Sequence, residues 1–160
     1  MTSWLAEYVA VFAIGVCVAV ALPSAAEACS CRQWTRDEAF ATATDVFEGR
    51  VMSVRIDTNN HTTVVELNVV RTWKGARSER VTVVTAQNSS ICGYPFQENT
   101  SYLVYATTTE GVTRTELCSR TNPMSNSDAQ ADVQAMGAGV TPVDVPRDAQ
   151  RRTSMRRAHD

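Results

Sequence analysis

Cys29-Ser30-Cys31 follows directly on Ala26-Glu27-Ala28, and an apolar run from Tyr8 to Leu22, ended by Pro23, precedes both. The run has the composition of a signal-peptide h-region, and Ala26-x-Ala28 is a small-x-small cleavage site. Residues 1–28 are therefore predicted to be a secretory leader, and cutting after Ala28 makes Cys29 the first mature residue. One feature departs from the pattern: Glu7 is present and no Lys or Arg precedes the run, so the positive charge rests on the terminal amine alone. A retained membrane anchor is the alternative, for which the run is short beside the roughly 20 residues of a span. The expected location is outside the cell or in the cell envelope.

Cysteine usage agrees with export. Cys17 lies inside the apolar run and leaves with it. Cys29, Cys31, Cys92 and Cys118 remain. An even count in an exported chain implies two disulfides, and four cysteines allow three pairings. A Cys29–Cys31 bridge would close a very tight, strained loop, so two pairings stay open. Either one ties the start of the mature chain to its middle and its end.

The 160 residues fit one domain with a tail. All 15 Lys and Arg follow Cys29, and the 17 acids less Glu7 and Glu27 leave 15 to balance them. A nucleic-acid binder shows a basic surplus, and this chain has none. Nucleic acid is thus not an expected partner.

Past Cys31, Thr35-Arg36-Asp37-Glu38 is a capping box that predicts a short helix. Strand signals then dominate. Asp45 to Ile56 is β-rich, and its apolar phase shifts beside Gly49, which predicts a bulged or bent strand. Asp57-Thr58-Asn59-Asn60 is a turn. Thr62 to Trp73 is the clearest strand, with Val65, Leu67 and Val69 alternating with Glu66 and Asn68. Arg80 to Thr85 is a third strand. Tyr102 to Thr107 is a fourth, apolar on both faces and so buried. Glu110-Gly111 turns the chain into a fifth, Val112 to Cys118, and Ser127-Asp128 starts a helix to Met136. The fold class is mainly β: a five-stranded, OB-type closed β-barrel with a short N-terminal helix and a C-terminal helix. Periodicity alone leaves a small sandwich open. From Gly137 to Asp160 no apolar period survives; five Arg face three Asp, and a disordered basic tail is expected.

The Cys-x-Cys start after a cleavage site resembles the tissue inhibitors of metalloproteinases, the netrin-like fold. Val46-Phe47-Glu48-Gly49-Arg50-Val51 resembles that family's first barrel strand, and Val70 to Gly75, ending Trp73-Lys74-Gly75, the end of its second. Cys92-Gly93, Leu103-Val104-Tyr105-Ala106 and Cys118-Ser119-Arg120-Thr121 resemble the later loop, strand and exit. The likeness spans roughly residues 29–136. It implies the bridges Cys29–Cys92 and Cys31–Cys118. It also implies a secreted inhibitor whose Cys29 amine and carbonyl chelate the zinc of a partner metalloprotease, with Ser30 facing that protease's specificity pocket. The zinc belongs to the partner, and the chain needs no cofactor or metal of its own. The family's third disulfide and cysteine-rich C-terminal domain have no counterpart here.

The residues support blander roles as well. The cysteines serve equally as staples of a non-inhibitory binding module of the cell envelope. Lipidation of Cys29 would block its amine and attach the chain to a membrane, although Glu27 sits where a lipobox has small residues. A zinc site from the cysteines and His61 competes with oxidation in that compartment. Trp34 and Trp73 read as packing aromatics, and His61 and His159 as surface residues. Asn60, Asn88 and Asn99 begin sequons. No nucleophile–base pair emerges from the sequence, so an enzyme is not expected.

Overall fold

The computed structural model of the chain describes residues 29–75 and 78–142. The predicted leader and residues 143–160 of the predicted tail lie outside the described residues. Helix α1 (Arg36–Thr42) begins as the capping box requires: the Glu38 amide donates to Thr35 Oγ1 at 3.3 Å, and the Thr35 amide donates to Glu38 Oε2 at 3.0 Å. The other end has no glycine cap. Lys74 instead reaches across with Nζ and donates to the Phe40 and Ala41 carbonyls at 2.7 and 3.1 Å.

The strands are β1 (Asp45–Asp57), β2 (Thr62–Lys74), β3 (Arg80–Ala86), β4 (Ser101–Thr109), β5 (Val112–Arg114) and a two-residue β6 (Asn122–Pro123). β1 pairs antiparallel with both β2 and β4, β2 with β3, and β4 with β5; a short parallel β3–β5 pairing closes the ring. The expected five-stranded barrel is thus present. β1 serves two neighbours because it bends. Its register against β2 slips at Val46/Phe47, Glu48/Gly49 and Val51/Ser53, and the middle slip falls at the glycine that flagged it.

Two sequence-based bounds differ. The fifth strand was expected to reach Cys118, yet its pairing stops at Arg114. Beyond it, side-chain hydroxyls take over the backbone of β4: Thr115 Oγ1 donates to the Tyr105 carbonyl at 2.8 Å, and the Tyr105 amide donates to Thr121 Oγ1 at 3.1 Å. The chain is thereby freed to loop outward and bring Cys118 to the N-terminal segment. The tail boundary also differs. After α2 (Ser127–Met136), Val140 and Thr72 exchange both backbone hydrogen bonds, and Trp73 Nε1 donates to the Gly137 carbonyl at 2.9 Å.

The apolar-on-both-faces pattern of β4 has a simple cause. Tyr102, Val104 and Ala106 point into the barrel with Phe47, Val51, Val65, Leu67 and Val83. Leu103 and Tyr105 point outward, where Ala39 and Ala43 of α1 and Ala129 of α2 cover them together with Val46. Burying each large side chain here is worth about 1.5–3 kcal/mol. Trp34 and Trp73 pack on this outer layer, as their reading as packing aromatics requires.

Gly75 fixes the exit from β2. Its φ is +86°, and a Cβ there would lie 2.1 Å from Asp45 Oδ1. Gly111, with φ +77°, has open space around it. Gly111→Ala should therefore cost only the left-handed penalty of about 1–2 kcal/mol, and Gly75→Ala clearly more. Urea unfolding of the two variants checks this; equal midpoints would refute the close approach.

Candidate functional site

Residues 29–31 lie against the loops that follow β3 and β5 and are held there by sulfur. Cys29 is bridged to Cys92 with a Cα–Cα distance of 5.5 Å, and Cys31 to Cys118 with 5.0 Å. They close loops of 63 and 87 residues, either of which alone is worth about 4–5 kcal/mol through the entropy removed from the unfolded chain. The two bridges touch: Cys29 Sγ and Cys118 Sγ are 3.9 Å apart. Between the anchored residues, Ser30 is exposed.

The two receiving loops are shaped for this. Cys92 ends the 3₁₀ turn Ser89–Ile91 in a left-handed conformation, φ +65°. Gly93 beside it lets the loop press on β3, since a Cβ would meet the Ala86 carbonyl oxygen at 2.1 Å. The Leu117 amide donates to the Cys92 carbonyl at 2.9 Å and joins the two loops. A groove of about 410 Å³ opens alongside, lined among others by Trp34, Ala43, Ile91, Cys92, Thr115 and Cys118.

A second clamp is ionic. Arg120, itself left-handed at φ +70°, donates from Nε and Nη2 to the Asp132 carboxylate of α2 at 2.7 and 2.9 Å. Its Nη1 donates to the Trp34 carbonyl at 2.8 Å, and Tyr105 Oη donates to Asp132 Oδ2 at 2.9 Å. Burial, with the bond to Asp132, pushes the Tyr105 phenol well above its usual range. The bond to Asp132 likewise strengthens the hold of Arg120 on its proton. Thus α2, β4 and the exit loop grip the segment that carries Cys29 and Cys31.

A family model for the tissue inhibitors of metalloproteinase matches residues 27–135. The chain belongs to this family. Comparison with curated proteins finds no matching relative. The family is one of inhibitors rather than enzymes, and the two bridges suit the oxidising, extracellular setting in which such domains work.

In this barrel of the family the four cysteines converge, and among the described residues His61 does not join them. His61 sits in the β1–β2 turn at φ +51°, apart from the sulfur cluster, and His159 lies outside the described residues. The Sγ atoms of Cys29, Cys31 and Cys118 lie within 4.8 Å of one another, but each is spent in a disulfide. Sequence reasoning missed the roles of Arg120 and Asp132. The available signal was an acid at 132 on the same α2 face as Ala129, Val133 and Met136, where only a buried partner explains a charge.

Asp132→Ala would leave Arg120 and the Tyr105 hydroxyl without their shared acceptor, an expected loss of about 3 kcal/mol. Asp132→Asn, which keeps an acceptor for Tyr105, should cost less; chemical denaturation compares them.

The capping box adds a pH dependence. The Thr35 amide, then the Thr35 hydroxyl, and Arg32 hold the Glu38 carboxyl below its ordinary value of 4.5. A depressed pKa means the contribution is complete above pH 4.5 and disappears as pH falls through the lower folded value. On acidification the chemical shift of the Thr35 amide, which donates to the Glu38 carboxylate, should move in that window in the native chain, and this movement should be much reduced in Glu38→Gln.

Proposed function

We propose that the chain is an exported inhibitor of zinc metalloproteases that acts through the first residue of its mature form. The observation that carries this reading is the anchoring of Cys29 and Cys31 at both sides of an exposed Ser30, on a barrel of the inhibitor family. Cleavage after Ala28 would free the Cys29 amine. That nitrogen and the Cys29 carbonyl oxygen are spaced to form a five-membered chelate on a metal. A catalytic zinc keeps one position for water, and the chelate would displace the water that attacks the peptide. Ser30 would then enter the specificity pocket with a small side chain. Rigidity matters because a terminus fixed before contact loses little freedom on binding.

Zinc takes the neutral amine, whose reference pKa is about 7.7–8.0. Inhibition should therefore weaken as pH drops below about 7.5, since the proton competes with the metal. The test compares three oxidised forms against a zinc endopeptidase: chain beginning at Cys29, the same chain acetylated, and one with an added alanine in front. The first should inhibit and the other two should not. Equal inhibition by all three would overturn the chelate. Equal capture of a partner by all three, without inhibition by any, would instead assign the barrel to the binding modules of the cell envelope. Intact mass and N-terminal sequencing of the exported chain check the cleavage site and the absence of lipid on Cys29.

A further inference from the structure

The contact between the two disulfides points to a chemical property of its own. We propose that the four sulfurs form one thiol-exchange site, at which a dithiol reductant converts the native pair of bridges into a single, non-native Cys29–Cys118 bridge. The 3.9 Å contact joins one sulfur from each bridge. Disulfide exchange proceeds by attack of a thiolate on a neighbouring disulfide sulfur.

Either first event leads to the same product. If the dithiol opens Cys29–Cys92, it takes up two electrons' worth of oxidation as its own cyclic disulfide and leaves thiolates on Cys29 and Cys92. Cys29 Sγ then attacks Cys118 Sγ; the Cys29–Cys118 bond forms, the Cys31–Cys118 bond breaks, and Cys31 leaves as thiolate. If the dithiol opens Cys31–Cys118 first, Cys118 Sγ attacks Cys29 Sγ and Cys92 leaves. Both routes end with Cys29–Cys118 bridged and with Cys31 and Cys92 free.

Loop entropy does not oppose the exchange. The new bridge spans 89 residues, and the bridge it replaces spans 87 on the first route and 63 on the second, lengths too similar for the logarithmic closure cost to matter. Cys31 is exposed and Cys29 is half-buried, so on the first route the exchange moves the free thiol from the covered position to the open one. The product no longer ties Cys29 to the Cys92 loop. If the proposed chelate is right, this moves its amine and makes inhibition redox-sensitive; the chemistry itself is independent of that reading.

The test treats the oxidised chain starting at Cys29 with one equivalent of dithiothreitol, traps thiols with N-ethylmaleimide and maps the peptides. Part of the one-bridge fraction should carry label on Cys31 and Cys92, with Cys29 and Cys118 linked. Label found solely on Cys29 and Cys92 with Cys31–Cys118 intact, or solely on Cys31 and Cys118 with Cys29–Cys92 intact, would overturn the proposal. Cys92→Ser gives a second measure without reductant: label should divide between Cys29 and Cys31, and label on Cys29 alone would refute the exchange.

Discussion

Attachment of residues 29–35 to the barrel is the constraint on which the rest of the molecule turns. A chain of this size buries a limited core, and a free strand of residues 29–35 would leave a large conformational ensemble in front of it. Two bridges within contact distance of each other remove that freedom. The Arg120 guanidinium adds a hold on the Trp34 carbonyl and passes it to α2 through Asp132. Covalent and ionic clamps thus act on the same seven residues.

The barrel is built to supply the clamps' second halves. β5 stops at Arg114 because Thr115 and Thr121 satisfy the backbone of β4 with their hydroxyls. A longer β5 would have kept Cys118 in the sheet. Likewise Gly93 allows the Cys92 loop to lie against β3, so that its sulfur faces Cys29. The ends of strands, rather than their middles, decide where the site forms. Rigidity is thereby concentrated where the loops after β3 and β5 meet residues 29–31.

Lys74 and Gly75 show how one short motif serves several contacts. Trp73 holds the residues after α2, Lys74 closes the C-terminus of α1, and Gly75 lets Asp45 approach the β2 exit. α1 docks through Ala39 and Ala43, and Gly137 and Val140 follow α2 against Trp73 and Thr72. Each is fastened by a polar group from the end of β2.

The sequence by itself determined the strands β1 to β4, both helices and the glycine bulge. These depend on local rules: period-two alternation, a capping box and a conformational freedom that only glycine has. It also placed Cys29 and Cys31 just after an apolar run, and resemblance implied the pairing of the four cysteines. Tertiary structure alone decided where β5 ends, since the competing hydroxyl bonds come from residues ten and sixteen positions away. It alone set the Arg120–Asp132–Tyr105 clamp and the contact between bridges, spanning 12 to 89 residues. Such distances are fixed by how the barrel closes, and no local pattern in the chain encodes closure.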